Sequence, residues 1–272
     1  MASLSPDILR RSHILLPGVG AITEQRLWHE GVLALDDFAA SARLPGFSPE
    51  RKRRLDREAL AALAAHDEGN SASLAARLPH REAWRLFERF SKDAAYLDIE
   101  TSGLSRYSAI TVVGVYRPGR GFAGLVRARG LSAAAITEAL DGAKLLVTFN
   151  GAGFDLPFVR GAFPSARLPH AHLDLLSCAR RLGWKGGLKA VERRLGIARD
   201  LETRVIAGRD AVRLWRTFER TGSTNALRLL VGYNRADCEN LEPVARACVA
   251  RLLESLKLPS RAAPRQSALP VA

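Results

Sequence analysis

The chain has 272 residues, 47% of them hydrophobic and 25% charged, which supports a sizeable buried core and excludes global disorder. Lys plus Arg is 41 and Asp plus Glu is 28, a formal net charge of +13 that points to a polyanionic partner, nucleic acid before an anionic membrane surface. Residues 1–90 hold 13 basic and 12 acidic side chains and residues 91–272 hold 28 and 16, so the later two-thirds is the expected polyanion surface.

The opening MASLSPDILRRSHILLPGVG has an apolar run too short and too interrupted for a signal peptide. No stretch approaches the roughly 20 apolar residues of a spanning helix. Cys178, Cys238 and Cys248 are odd in number and include no close pair, which argues against a disulfide framework and a zinc knuckle. These features lead to the expectation of a cytoplasmic protein without a membrane partner.

Pro17, Gly18 and Gly20 predict a turn. A helix follows with Ile22, Leu27 and Trp28 on its apolar face, Gly31 stops it, and Ala34 to Ala40 form a second short helix. The pattern L-P-G-V-G resembles a helix–hairpin–helix turn, whose backbone N–H groups hold a DNA phosphate without reading bases. Gly18 and Gly20 are therefore candidate nucleic-acid contacts, with a plain helical hairpin as the alternative. Residues 48–90 are polar and helix-friendly, and the basic run Arg51 to Arg54 reads as a solvated helix face. HDEGNSASLAARLP reads as the linker into the next domain. The expected division is a helical region over 1–75, a linker over 76–92, an α/β domain over 93–255 and a frayed tail over 256–272.

From residue 94, AAYLDIE, AITVVGVY and GFAGLVRA predict three strands separated by turns. SAAAITEALD predicts a helix, KLLVTFN a buried strand, FDLPFVRGAF another helix and HAHLDLL a short fifth strand or a strand-to-helix junction. The remainder is helical. The fold class expected is α/β: a mixed five-stranded sheet covered by helices and preceded by a small all-α region.

Three short patterns carry chemistry. Asp98 and Glu100 lie two apart in YLDIET, which puts both carboxylates on one face of a strand, where a divalent cation relieves their repulsion. Asn150-Gly151-Ala152-Gly153-Phe154-Asp155 follows an apolar strand and opens a helix, the end of a strand where open α/β sheets place ligands. Alone, Asp155 reads equally as a helix cap and Asn150 as a turn former. Tyr233 and Asp237 are i and i+4 in YNRAD and share a helix face.

Taken together, DIE, NGAGFD and YNRAD resemble the three exonuclease motifs of the DEDD superfamily of ribonuclease H-like 3′–5′ exonucleases, and the tyrosine resembles its DEDDy branch. LDIETSGL, LLVTFNGAGFDLPFV, HLDLLSCARRLG, GGLKAVERRLGI and YNRADCENL resemble the bacterial YprB-type ribonuclease H-like proteins over residues 93–247, a group that often carries an L-P-G-(V/I)-G segment upstream. The resemblance implies a two-metal phosphodiesterase using two Mg²⁺ or Mn²⁺ ions. In it Asp98 bridges both ions, Glu100 and Asp237 hold the one that activates water, Asp155 holds the other, and Tyr233 hydrogen-bonds the attacking water.

The resemblance also places Thr101 and Leu104 against the terminal nucleotide. Phe154 is a candidate base-stacking residue, with core packing as the alternative, and Lys189 a candidate phosphate contact, with a surface lysine as the alternative. Asp174 reads as a supporting acid or a fifth ligand. His170 and His172 have H-x-H spacing but no matching third zinc ligand. The implied partner is nucleic acid, single-stranded ends above all, with DNA favoured over RNA by the upstream glycine turn. A structure-specific endonuclease of the same fold and a binding module without activity are the competing readings.

Overall fold

Alternation of apolar side chains assigns each strand residue to one face of a sheet, and a stripe every three to four residues assigns each helix its buried side. The computed structural model describes residues 7–103, 105, 107–206 and 208–259. The helical region comprises α1 (Ala21–His29), α2 (Leu35–Ala40), α3 (Pro49–Asp67), α4 (Ser71–Arg77) and α5 (Phe87–Phe90). The sheet follows with β1 (Ala94–Thr101), β2 (Ile110–Arg117), β3 (Gly121–Val126), α6 (Ala133–Ala139), β4 (Leu145–Thr148), α7 (Asp155–Ala162) and β5 (His172–Asp174). Among the described residues five helices follow: α8 (Leu175–Arg181), α9 (Leu188–Leu195), α10 (Leu201–Arg204), α11 (Gly208–Thr221) and α12 (Thr224–Ser255).

The strand order is β3-β2-β1-β4-β5, with β1 at the centre. β1, β2 and β3 form an antiparallel meander, and β4 and β5 add in parallel through helical crossovers. This is the mixed five-stranded sheet expected from the sequence. Ala95, Leu97 and Ile99 of β1 pack with Val113 and Val115 of β2 against Ile136 and Leu140 from the α6 side and Leu156 and Val159 of α7. Tyr96, Asp98 and Glu100 alternate with them and so face the layer of α12.

The 32-residue α12 crosses that face closely because β2 offers no side chain at the crossing. Gly114 is the register partner of Asp98. A Cβ there would collide with Asn234 Oδ1 and lie 2.7 Å from Cys238 Sγ. Glycine is thus required by close approach of a helix, not by a turn. All three cysteines are free and buried.

Two expectations need correction. Ile22 is 87% exposed, whereas Leu27 and Trp28 are buried. At 100° per residue Ile22 stands well over 90° from both, off the inward face that Glu24 shares with them. The second concerns residues 76–92, expected as a linker. They close α4, run through a 3₁₀ segment at His80–Leu86 and form α5, with Trp84, Leu86, Phe87 and Phe90 buried. The small polar residues read as the linker into the next domain are in fact a capped helix, α4, whose Asn70 side chain accepts the Ser73 N–H at 3.0 Å. Leu27, Phe38, Leu55 and Leu74 lie in the same hydrophobic cluster as Tyr96, Val147, Leu173 and Val249. Helical region and sheet therefore share one core. Residues 260–272 of the expected tail lie outside the described residues.

A buried ion network also joins these parts. Arg85, 1% exposed, donates to both carboxylate oxygens of Glu24 on α1 at 2.9 and 2.8 Å, to Glu82 at 2.9 Å and to Ser12 Oγ at 2.8 Å. Arg181 of α8 donates to the other oxygen of Glu82 at 2.7 Å. Arg85→Ala leaves Glu24 buried without a cation and Glu82 with only Arg181, so it should lower unfolding free energy by about 3–5 kcal/mol. Urea denaturation checks this, and a loss under about 1 kcal/mol would place the network among dispensable contacts.

Candidate active site

β1 delivers Asp98 and Glu100 to the face under α12, and α12 delivers Asp237 from above. One carboxylate oxygen of each lies within 4.8 Å of the others, which makes a ligand set of three hard oxygens. Asp155 opens α7 beside them, buried, and its Oδ1 accepts the Ile99 N–H at 3.1 Å. β4 pairs with β1 only as far as Tyr96, so beyond that point the Asp155 carboxylate takes the place of a strand neighbour.

Burial and mutual repulsion act in one direction on these acids. Burial pushes Asp98 well above the usual carboxylate range, and the charges of Asp237, Asp155 and Glu100 add to it. Glu100 is raised in the same way by burial, Asp237 and Asp155. Burial pushes Asp155 up to about 7. Asp237 is raised by burial, against the opposing pull of Arg199.

Arg199 is a site residue that sequence reasoning missed. It sits between α9 and α10 with its side chain 4% exposed, and it donates to Asp237 Oδ1 and to both oxygens of Glu192 at 2.7 and 2.6 Å. Glu192, on α9, also accepts from Asn240 Nδ2 at 3.0 Å. The guanidinium lies 5.7 Å from the Tyr233 ring centroid. Nothing in GIARD marks this arginine, because its partners are remote in sequence. Asn234 was also missed, although it stands inside YNRAD. Its Nδ2 donates to Asp98 Oδ2 at 2.9 Å and to the Asp98 carbonyl at 3.2 Å, which fixes the carboxylate's direction.

The remaining sequence candidates divide. Tyr233 is buried on the inward face of α12, one turn before Asp237, and its hydroxyl is near enough to favour the charged form of the Asp237 carboxylate. Lys189 is half-buried, stands 4.7 Å from the Tyr233 ring centroid and donates to the Ile206 carbonyl. Thr101 is buried and donates to the Gly103 carbonyl at 2.6 Å. Leu104 lies outside the described residues. Asn150 is exposed, with φ of 68° that asparagine tolerates. Phe154 is half-buried, pairs with Phe158 at 4.7 Å between centroids and packs against the core below the sheet. Gly18 (φ 71°) presents its carbonyl to Arg51 at 3.1 Å, and Gly20 precedes α1 as its cap.

Asp174 accepts the backbone N–H groups of Asn150, Ala152 and Leu176 at 2.7, 3.1 and 3.0 Å, so it holds the loop before Asp155 in shape. His172 Nε2 lies 2.9 Å from Thr148 Oγ1, and burial lowers its pKa to about 4. Neither His170 nor His172 joins a metal-ligand group among the described residues.

These shifts set a pH dependence. A carboxylate whose pKa is raised by folding leaves the metal-free fold unpenalised below pH about 4 and destabilises it as pH climbs toward about 7. In EDTA, stability should therefore fall from pH 5 to pH 8, and Mn²⁺ should raise the melting temperature more at pH 8 than at pH 5. Asp98→Asn removes one of the repelling charges and should flatten both trends. His66 is also raised, by its bond to Asp7, and loses stability in the same direction, whereas His13 and His172, lowered by burial, gain it as pH rises toward about 6.5, so the difference between wild type and Asp98→Asn isolates the cluster. Parallel pH profiles in the two proteins would contradict a shared carboxylate cluster.

Residues 95–249 match the RNase_H_2 family of the RNase H superfamily, and the chain belongs to that family. It is similar to a solved structure, the family B DNA polymerase from the hyperthermophilic archaeon Pyrobaculum calidifontis, at 15% identity and a TM-score of 0.45. The alignment covers 59% of this chain and 25% of the polymerase, so the matched part spans a quarter of that enzyme. No curated protein matches the chain.

Proposed function

We propose that this member of the ribonuclease H superfamily is a metal-dependent 3′–5′ exonuclease of the DEDDy branch and YprB type, acting on single-stranded ends, DNA before RNA. The observation that carries the reading is the convergence of Asp98, Glu100 and Asp237 on one point, with Asp155 and Tyr233 beside it. Residues 93–255 form the proposed nuclease portion, and residues 1–75 a helical accessory docked on it. Among the described residues no helix is long and apolar enough to cross a membrane.

An all-oxygen, carboxylate-rich donor set suits Mg²⁺ or Mn²⁺ and not a thiolate or imidazole metal. Asp98, Glu100 and Asp237 would hold one cation and Asp98 with Asp155 a second. When bound, the cations supply charge stabilisation of an in-line phosphoryl displacement and lower the pKa of bound water. The protein's own groups do the positioning. Asn234 orients Asp98, and Arg199 holds Asp237 toward the cluster. Tyr233, buried one turn before Asp237, would direct its hydroxyl at the attacking water. Asp174 keeps the Asn150–Phe154 loop in place, so that Asp155 meets β1.

Incubation of 5′-labelled single-stranded DNA and RNA with Mg²⁺, Mn²⁺ or EDTA tests the reading. A descending ladder in metal alone supports it, discrete internal bands mean an endonuclease, and an intact strand means a binder. Asp98→Ala should abolish the ladder. Tyr233→Phe keeps the ring packing and should slow it by roughly 10²-fold, about 2.7 kcal/mol of barrier, with the Mn²⁺-induced shift in melting temperature retained. An unaltered rate would reduce Tyr233 to packing.

A further inference from the structure

One helix beside the site carries charge that the fold does not use. In α11, Arg209, Arg213, Arg216 and Arg220 follow each other at i, i+4, i+7 and i+11, which places them within an arc of roughly 60°. All four are exposed, and the opposite face buries Ala211 and Trp215. Asp210 and Glu219 fall outside the arc. Only Arg213 has a carboxylate partner, Asp210 at 3.5 Å; Arg209, Arg216 and Arg220 make no ion pair among the described residues.

The stripe borders a groove of about 670 Å³ whose lining includes Arg209, Arg213, Arg216 and Gly103, with Asp210 as its one carboxylate among the described residues. Gly103 stands three residues beyond Glu100, and its carbonyl receives the Thr101 hydroxyl at 2.6 Å. The groove therefore lies between α11, which contacts β1, and the loop that continues β1 past Glu100. The loop that carries Gly103 also carries Tyr107, 80% exposed.

We infer that the arginine face of α11 is the track for a single-stranded nucleic acid whose end lies at the carboxylate cluster. This rests on the nuclease reading above and specifies its substrate path. Repeated cations along one line match a partner with repeated anions, and the stripe, roughly 16 Å long, reaches several consecutive phosphates. A basic groove with a nearby exposed aromatic ring is how single strands are held without sequence preference. A lipid surface is a poor match, because the apolar side of α11 is already buried against α12 and the sheet and has nothing left to insert.

Fluorescence anisotropy of a labelled 12-nucleotide strand, titrated with full-length protein in EDTA between 0.05 and 0.3 M salt, reads the track without hydrolysis. The probes are the triple variant Arg209→Ala, Arg213→Ala, Arg216→Ala and a charge-matched control, Arg53→Ala, Arg54→Ala, Arg57→Ala, on exposed positions of α3. Three lost phosphate contacts should remove about 2 from the slope of log K against log salt, and so about 10²-fold in affinity at 0.1 M salt. The control should keep slope and affinity close to wild type, and thermal melts of both variants should match wild type because every changed residue is exposed. Equal losses in the two triples, or an unchanged slope in the α11 triple, would overturn the track. A wild type that binds through α11 but hydrolyses nothing with any cation would sink the exonuclease reading and leave the track standing. A wild type that cuts strands while the α11 triple keeps its full slope would do the reverse.

Discussion

Like charges gathered where water is scarce are the constraint on which this structure is organised. Burial raises the pKa values of Asp98, Glu100, Asp155 and Asp237, and charges within the cluster add to the rise at Asp98, Glu100 and Asp155. A fold that collects them must supply compensation from elsewhere. Part comes from a cation, Arg199, shared between Asp237 and Glu192. Part comes from neutral donors, the Asn234 amide on Asp98 and the Ile99 N–H on Asp155. The repulsion that remains is what a divalent cation would relieve under the proposed function, so the cost of gathering the carboxylates and their fitness to hold metal have one origin.

Positioning this cluster requires α12 to lie closer to the sheet than side chains normally allow. Gly114 makes room at the crossing, and Asn234 and Cys238 fill it. Behind the crossing, Tyr96, Leu241, Val244 and Cys248 belong to a core that continues into the helical region. The Arg85 network then ties α1, the 3₁₀ segment and α8 together. The amino-terminal helices are thus part of the platform that holds the sheet, whatever else their glycine turn does.

Charge is distributed to match this layout. The helical region is nearly neutral, as suits a surface largely spent on packing and on short-range pairs such as Arg10 with Asp36 and Asp67. The positive excess lies in the later two-thirds of the chain. There it includes α11, whose outer face is lined with arginine and whose inner face shares a core with Val112, Tyr233 and Leu230. Under the proposed function, an acidic centre beside a basic groove would hold metal at one point and draw phosphates past it.

Much of this was legible in the sequence because it depends on local periodicity. The alternation through YLDIE put Asp98 and Glu100 on one face, and the four-residue spacing of Tyr233 and Asp237 put them on one side of a helix, before any contact was known. The same reasoning recovered the strands and the mixed sheet. It went wrong where a local signal had two meanings: small polar residues before Pro79 suggested a linker and are a capped helix, and Ile22 looked like a core residue but stands outside the inward arc of α1. Only the tertiary structure decided that Lys189 bonds a carbonyl, that Asp174 serves backbone N–H groups and that Phe154 packs on Phe158. Above all, it decided the counter-ions: Arg199 meets Asp237 across 38 positions and Arg85 meets Glu24 across 61. A repeating pattern places a side chain on a face, but which charge lies opposite depends on how separate elements pack, and no pattern within one element encodes that.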